Sequence, residues 1–322
     1  MSRHLRSLGS NFSVSIPTDE EGYLGRECPE CESYFKITPG TGLENVTACV
    51  CPYCGHKAEQ SDFATAQQLE YAKSVVLQQV MGAVTKDLKG IARSFNRKSS
   101  GGLLSLKMDV RSKPSTIQYY VEKELETKVQ CAACSLQYTI YGVFGFCPDC
   151  GVHNSLQILE KNLELARKEL ELATTAEDTE LQQHLVGDAL ENAVSSFDGF
   201  GRAEVGTYAD RSSNSKKATA ISFQNLTTAE EALQALFGFS LHSTVSADEW
   251  KLLVRCFQKR HLLAHKMGVV DEKYMKVTGD TNAVVGRKVV MGSQEVSKLL
   301  EAVAKLGIGL SASLDQISPN VQ

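Results

Sequence analysis

The chain has 322 residues, 42% of them hydrophobic and 22% charged, an ordinary globular composition long enough for two or three domains. Lys and Arg number 34 against 38 Asp and Glu, a net charge of −4 that excludes a wholesale basic nucleic-acid binder. No apolar run approaches the roughly 18 residues that span a bilayer, and Met1 to Glu20 lacks the apolar core of a secretory leader, so the expectation is a cytoplasmic protein with no membrane association.

Residues 1–22 are polar and aperiodic and are expected to form a loose arm. Two cysteine pairs follow, Cys28-Pro29-Glu30-Cys31 and Cys51-Pro52-Tyr53-Cys54-Gly55, and two more stand at Cys131-Ala132-Ala133-Cys134 and Cys147-Pro148-Asp149-Cys150-Gly151. A Cys-x-x-Cys turn aims two thiolates at one tetrahedral ion, and a following glycine admits the left-handed turn that frees backbone amides for the sulfurs. The expectation is a zinc ribbon over 23–62, a second over 131–151, and two structural Zn2+ held by Cys28, Cys31, Cys51, Cys54 and by Cys131, Cys134, Cys147, Cys150. Cys49 and His56 lie close enough to replace a ligand, but the Cys-Pro-x-Cys-Gly form is intact at Cys51. Four protein ligands leave no open position, so no catalytic metal is expected. Cys256, among apolar neighbours, reads as core.

Residues 63–130 read as a helix and strand unit connecting the ribbons. Thr65-x-x-Gln68 caps a helix running to about Phe95, with apolar positions at Leu69, Val76, Val80 and Val84. Leu104, Leu106, Met108 and Val110 alternate with polar residues as a half-buried strand does, and 116–129 reads as extended. Between Lys86 and Lys113 stand eight Lys or Arg and two Asp. Cations at a helix end complement its dipole, and the alternative is a phosphate-contact surface.

From 152 to 310 the pattern turns helical, and the −4 falls in this half. Leu156, Leu159, Leu163, Ala166 and Leu170 step by three and four, and Val186, Leu190, Ala193, Val194 and Phe197 mark a second helix over 177–198. Residues 201–219 read as a loop rich in Gly, Ser and Lys. Thr227-x-x-Glu230 and Ser246-x-x-Glu249 open two further helices, the second burying Trp250, Leu253, Val254, Phe257 and Ala264. A last helix is expected over 293–306, with a polar tail over 311–322. The fold class is α+β: two N-terminal ribbons with a helix and short strands, then an all-α bundle.

The helix opened by Ser246 ends Arg260-His261-Leu262-Leu263-Ala264-His265-Lys266-Met267-Gly268, and Val269-Val270-Asp271-Glu272-Lys273-Tyr274 follows. An Arg, four residues and a His at a helix end before this segment resembles the HEPN superfamily of helical ribonucleases, with Asp248 to Tyr274 carrying most of the likeness. Many relatives carry a polar Asn after the Arg, where His261 stands here. The resemblance implies a HEPN-like bundle, a catalytic Arg260 and His265, and a homodimer in which two motifs share one cleft, and His261 is assigned an orienting or substrate-contacting role in that site. The chemistry suits these residues. An imidazole can move the protons of RNA self-cleavage, and a guanidinium can steady the charged phosphorus centre. On an ideal helix Arg260 and His265 lie about 140° apart, whereas His261 and His265 share a face, so one helix supplies part of a site. The resulting expectation is a metal-independent endoribonuclease leaving 2′,3′-cyclic phosphate and 5′-hydroxyl ends, a toxin or antiviral-defence effector whose ribbons choose substrate or partner protein. The alternative is a non-catalytic adaptor binding nucleic acid, nucleotide or protein. A cluster of cations that merely complements the helix dipole accounts for the same charge pattern.

Overall fold

Four Cys-x-x-Cys knuckles with one shared backbone geometry organise the N-terminal half. In the computed structural model, which describes residues 3–9, 11–98, 107–112, 116–125 and 127–317, the chain divides into two units, Met1–Val152 and His153–Gln322. Helices dominate, with small antiparallel sheets confined to the first unit.

In the first unit, β1 (Leu24–Glu27) and β2 (Tyr34–Ile37) flank the Cys28–Cys31 knuckle, and β3 (Ala48–Val50) and β4 (Lys57–Glu59) flank Cys51–Cys54. β5 (Thr127–Gln130) and β6 (Gln137–Ile140) flank Cys131–Cys134. The residue after each knuckle is left-handed: Glu32 at φ 57°, Gly55 at 71°, Ser135 at 65° and Gly151 at 73°. Its amide donates to the carbonyl of the knuckle's first cysteine at 2.8–3.0 Å in all four. Two of the four therefore hold a non-glycine residue where a Cβ costs roughly 1–2 kcal/mol.

The two ribbons, separate in sequence, join in one four-stranded sheet of order β1-β2-β6-β5, with Lys36 opposite Thr139 and Ile37 opposite Tyr138. Val50 N donates to Pro148 O at 2.8 Å and Phe146 N to Pro52 O at 2.9 Å, tying the second ribbon's cysteine loop to the first's. One apolar cluster serves both, with Phe35, Ile37, Phe63, Leu136, Tyr138 and Ile140 around buried cysteines.

The arm is not wholly irregular: α1 (Arg3–Ser7) lies on α2 (Ala66–Lys98), with the amides of His4 and Leu5 donating to the Asp87 carboxylate. α2 is capped by reciprocal bonds between Thr65 and Gln68, each 3.2 Å. Gln68 also donates to Gly25 O at 2.8 Å, and Glu122 accepts from Gly25 N at 2.9 Å, fastening α2 and the 116–125 segment to the sheet edge. Among the expected stripe on α2, Leu69 is exposed and Val76, Val80 and Val84 are half-buried. The expected strand over 104–110 is not formed where it is described. Residues 107–112 are irregular, with Met108 bonded at both N and O to the Asn96 side chain, and 104–106 lie outside the described residues.

The second unit is built from α3 (Ser155–Thr175), α4 (Thr179–Thr207), α5 (Ser215–Thr219), α6 (Leu226–Phe237), α7 (Ala247–Lys266), α8 (Glu272–Thr278) and α9 (Ser293–Asp315). α3, α4 and α9 pack on one another, and Phe197, Phe200, Phe223 and Phe257 meet at the centre with ring centroids 5.7–6.1 Å apart about Phe197. Gly307 lets α9 approach α3 where a Cβ would stand 2.6 Å from Leu159 Cδ2. Several expectations change here. The loop assigned to 201–219 is the end of α4, a 3-10 turn at Ala209–Arg211 and α5, because Val205, Ala209 and Ala218 are drawn into the core. Asn225, not Thr227, caps α6 by accepting from Thr228 N. The tail assigned to 311–322 is helical through Asp315, with Leu310 and Leu314 buried. Ala264 is exposed, Trp250 and Val254 are half-buried, and Cys256 is buried.

Candidate functional site

Each knuckle places two sulfurs beside two from another, so the chain forms two clusters, Cys28, Cys31, Cys51, Cys54 and Cys131, Cys134, Cys147, Cys150, each with all ligand atoms within 4.8 Å. Cys28 Sγ lies 3.7 Å from Cys54 Sγ and Cys31 Sγ 3.6 Å from Cys51 Sγ. In the second cluster Cys131–Cys150 is 3.6 Å and Cys134–Cys147 is 3.5 Å. A tetrahedron with metal–sulfur bonds of about 2.3 Å has edges of about 3.8 Å, so the spacing fits two structural metal ions such as zinc. Tyr53 N points at Cys51 Sγ at 3.4 Å, the amide-to-sulfur contact expected of a knuckle. Cys49 stands outside the cluster, buried with its Sγ 3.9 Å from Val50 O, and the His56 ring faces Phe63 at 6.5 Å. Neither substitutes for Cys51.

The second cluster of chemistry lies at the end of α7. Ser246 and Glu249 form a reciprocal capping box at its start, and at its end Met267 (φ 52°) and Gly268 (φ 75°) turn left-handed while Gly268 N closes on Leu262 O at 2.9 Å. The helix is clamped on two sides. Toward α9, Arg255 Nε donates to Glu295 at 2.9 Å, and the buried Lys259 donates to Glu295 at 2.7 Å and to Val290 O at 2.9 Å. Toward α4, Arg260 makes a bidentate pair with Glu191, Nε to Oε2 at 2.7 Å and Nη2 to Oε1 at 2.5 Å, with Gln224 Oε1 3.5 Å from Nη1. The Arg260 side chain is 12% exposed.

His261 and His265 are both exposed, their ring centroids 4.9 Å apart. Burial, then the neighbouring charges of His265, Lys273, Lys266 and Arg260, hold the His261 imidazole below its ordinary range, favouring its neutral form. Partial burial would raise the Glu191 carboxyl, but hydrogen bonds from Arg260 and Ser195 and the charges of Arg260 and His265 bring it below the ordinary carboxylate range. Arg260, His261 and His265 are thus a guanidinium and two imidazoles at one helix end, with Glu191 and Gln224 beside them. Lys266 pairs with Asp271, which also caps α8 by accepting from Tyr274 N at 2.7 Å.

Sequence reading missed Glu191 and Gln224. They reach Arg260 across 69 and 36 residues of chain, Glu191 from α4 and Gln224 from the segment between α5 and α6, so only tertiary packing brings them near. His153, which by spacing reads as a surface or core residue rather than a catalytic one, lies toward the core. That imidazole is mostly buried, 3.8 Å from Glu204, which accepts from the Ser155 and Ser311 hydroxyls. Burial lowers its pKa to about 4. His184 sits by Asp188 on the surface, and His242 lies against Trp250 with centroids 5.6 Å apart. Among the described residues, no helix is long and apolar enough to cross a membrane. Compared with family models, with curated proteins and with solved structures, the chain matches none of them.

Proposed function

We propose that the chain is a metal-independent endoribonuclease of HEPN type, with the second unit as its HEPN-like bundle and α7 as its motif helix. The observation that carries this reading is the exposed His261–His265 pair one helical turn apart beside an Arg260 whose guanidinium is held in fixed orientation. One imidazole takes the proton of a ribose 2′-hydroxyl while that oxygen attacks phosphorus. The P–O5′ bond breaks, a protonated imidazole returns a proton to the 5′-oxygen, and Arg260 balances the phosphoryl charge. The products are a 2′,3′-cyclic phosphate and a 5′-hydroxyl. No step runs through a metal, since four thiolates fill each of the two metal sites, for which zinc is the proposed ion. A homodimer brings two motif helices to a shared two-fold cleft and completes what one helix face leaves partial. In a toxin or antiviral-defence effector, the ribbon unit serves to select substrate or a partner protein.

One observation favours the rival, a non-catalytic binding module: the Glu191 carboxylate already satisfies two Arg260 donors, as in a purely structural ion pair. Cleavage of labelled RNA by the full-length protein decides between them. His265→Ala and Arg260→Ala should each lower cutting by about 10²–10⁴-fold with the bundle still folded. Products bearing 5′-phosphates, or cutting that stops when Mg2+ is removed, would overturn the mechanism. If the wild type binds RNA as His265→Ala does and neither cuts, the binding module is correct.

A further inference from the structure

α2 is 33 residues long, about 50 Å. Its first turns are tied to the sheet through Gln68, and Ser74 Oγ accepts from Gln118 N at 3.1 Å. Beyond them, α1 is the one regular element among the described residues that packs broadly on it, along the side that carries Ala83 and Asp87. Another side is left half-exposed, with no regular element among the described residues packed broadly on it. Leu77, Met81, Val84, Leu88, Ile91 and Phe95 follow one another at intervals of 4, 3, 4, 3 and 4 residues. Val84 is half-buried, and the other five are 41–55% exposed.

Two features separate this line from a stray apolar surface. A strict alternation of three and four is the seam of a coiled coil, with Met81, Leu88 and Phe95 at one core position and Leu77, Val84 and Ile91 at the other. α3 steps the same way through Leu159, Leu163, Ala166 and Leu170, but there the stripe is buried in the bundle's own core, whereas on α2 it is left open. Moreover, long helices in proteins draw most of their stability from a packed apolar face, and α2 carries Gly82 and Gly90, which weaken it, within the stretch where that face is open.

We propose that this seam is a homodimer interface, in which α2 of one copy packs against α2 of a second copy of the same chain. A second copy fits because the surface is self-complementary: the same heptad line supplies both knobs and holes. The area agrees. The seam with its flanks offers roughly 500 Å2 per copy, about 1,000 Å2 across the pair, at the lower bound for a specific interface. The dimer is therefore of modest affinity. It lies in the first unit and uses no residue of α7, so it holds whether or not the chain cuts RNA.

Sedimentation equilibrium on the full-length, metal-loaded protein, from low micromolar concentration upward, tests it. The wild type should show a reversible monomer–dimer equilibrium. Leu88→Glu with Ile91→Glu should weaken it at least about 100-fold by placing charge in the seam, and Arg93→Glu, on the far side of the helix, should leave it unchanged. Since both seam residues are exposed in the single copy, metal content and helicity should survive the double substitution; a variant that loses them is replaced by Leu77→Gln with Met81→Gln, for which the same weakening is expected. A wild type that stays monomeric overturns the proposal. So does a dimer that survives the seam substitutions, and one that then yields to substitution on α7 belongs to the motif-helix cleft. Monomers whose α2 amides resist hydrogen exchange from residue 77 to 95 overturn it too, because the face would then be covered within a single copy.

Discussion

The two units are of similar length and are held together by opposite means. In Met1–Val152 the strands are three or four residues long, too short to persist alone, and five of the eleven residues in the buried cluster around them are cysteines. In His153–Gln322 a continuous cluster of Leu, Val, Ala and Phe runs through α3, α4, α6, α7 and α9, with no ion required. The contrast shows two ways to fix a fold: strands too short to hold a continuous core have their ends set by four-sulfur clusters that fit a metal ion, whereas long helices bury a Leu-rich core of their own.

Metal removal should break this contrast most sharply. A structural zinc site contributes about 10–16 kcal/mol of binding free energy to folding, as much as a domain's entire stability of about 5–15 kcal/mol. A strong chelator should therefore unfold the first unit and leave the second helical, seen as loss of hydrogen-exchange protection up to residue 152 only. Cys131→Ser should mimic half of this, and Cys256→Ser, which alters one buried thiol in the bundle, should not. Elemental analysis should find two ions per chain, and finding fewer would contradict the four-sulfur geometry.

Core truncation tests the other side. Phe197 is fully buried against Phe200, Phe223 and Phe257, and Phe197→Ala should cost the second unit about 3–5 kcal/mol by calorimetry with metal content unchanged.

Legibility in the sequence divides along the same line. Knuckle chemistry is local, so eight ligands were readable from four pairs of spacings, and Cys49 was excluded only by its side chain facing away. The left-handed position after each knuckle was readable where glycine marks it, at Gly55 and Gly151, and invisible at Glu32 and Ser135, which take the same turn without a glycine. Helices of the bundle were readable from their three-and-four stepping, but their ends were not. α4 runs past Phe197 to Thr207 and α9 to Asp315 because distant neighbours bury Val205 and Leu314. The Arg260 partner was out of reach for the same reason. Glu191 is an unremarkable helix-surface residue until α7 is laid across α4.

Acidification should weaken the second unit at His153. Its folded pKa is about 4, against about 6.5 in the unfolded chain, so below pH 6.5 the unfolded state takes a proton that the folded state refuses. Stability is full above pH 6.5 and falls as pH drops toward 4, by at most about 3 kcal/mol, with Glu204 at 3.8 Å reducing the loss. His153→Gln should flatten the pH dependence of the bundle's melting temperature between those values, and a slope unchanged by the substitution would assign the effect to another group.

The smallest effect concerns the Arg260–Glu191 pair, where stability and function separate. Glu191 is 43% exposed, so solvent screens the pair and Glu191→Gln should cost about 1 kcal/mol, far less than the metal or the aromatic core. Because the folded carboxyl titrates below its ordinary range, this contribution is present above about pH 4.3 and disappears as pH falls through the folded pKa. A purely structural pair predicts that Arg260→Gln and Glu191→Gln lower the melting temperature alike and leave RNA affinity alone. A phosphate-binding Arg260 predicts a split between the two. Glu191→Gln removes the competing anion and should leave RNA binding equal or tighter, whereas Arg260→Gln should weaken it, at matched salt and with the same small loss of stability.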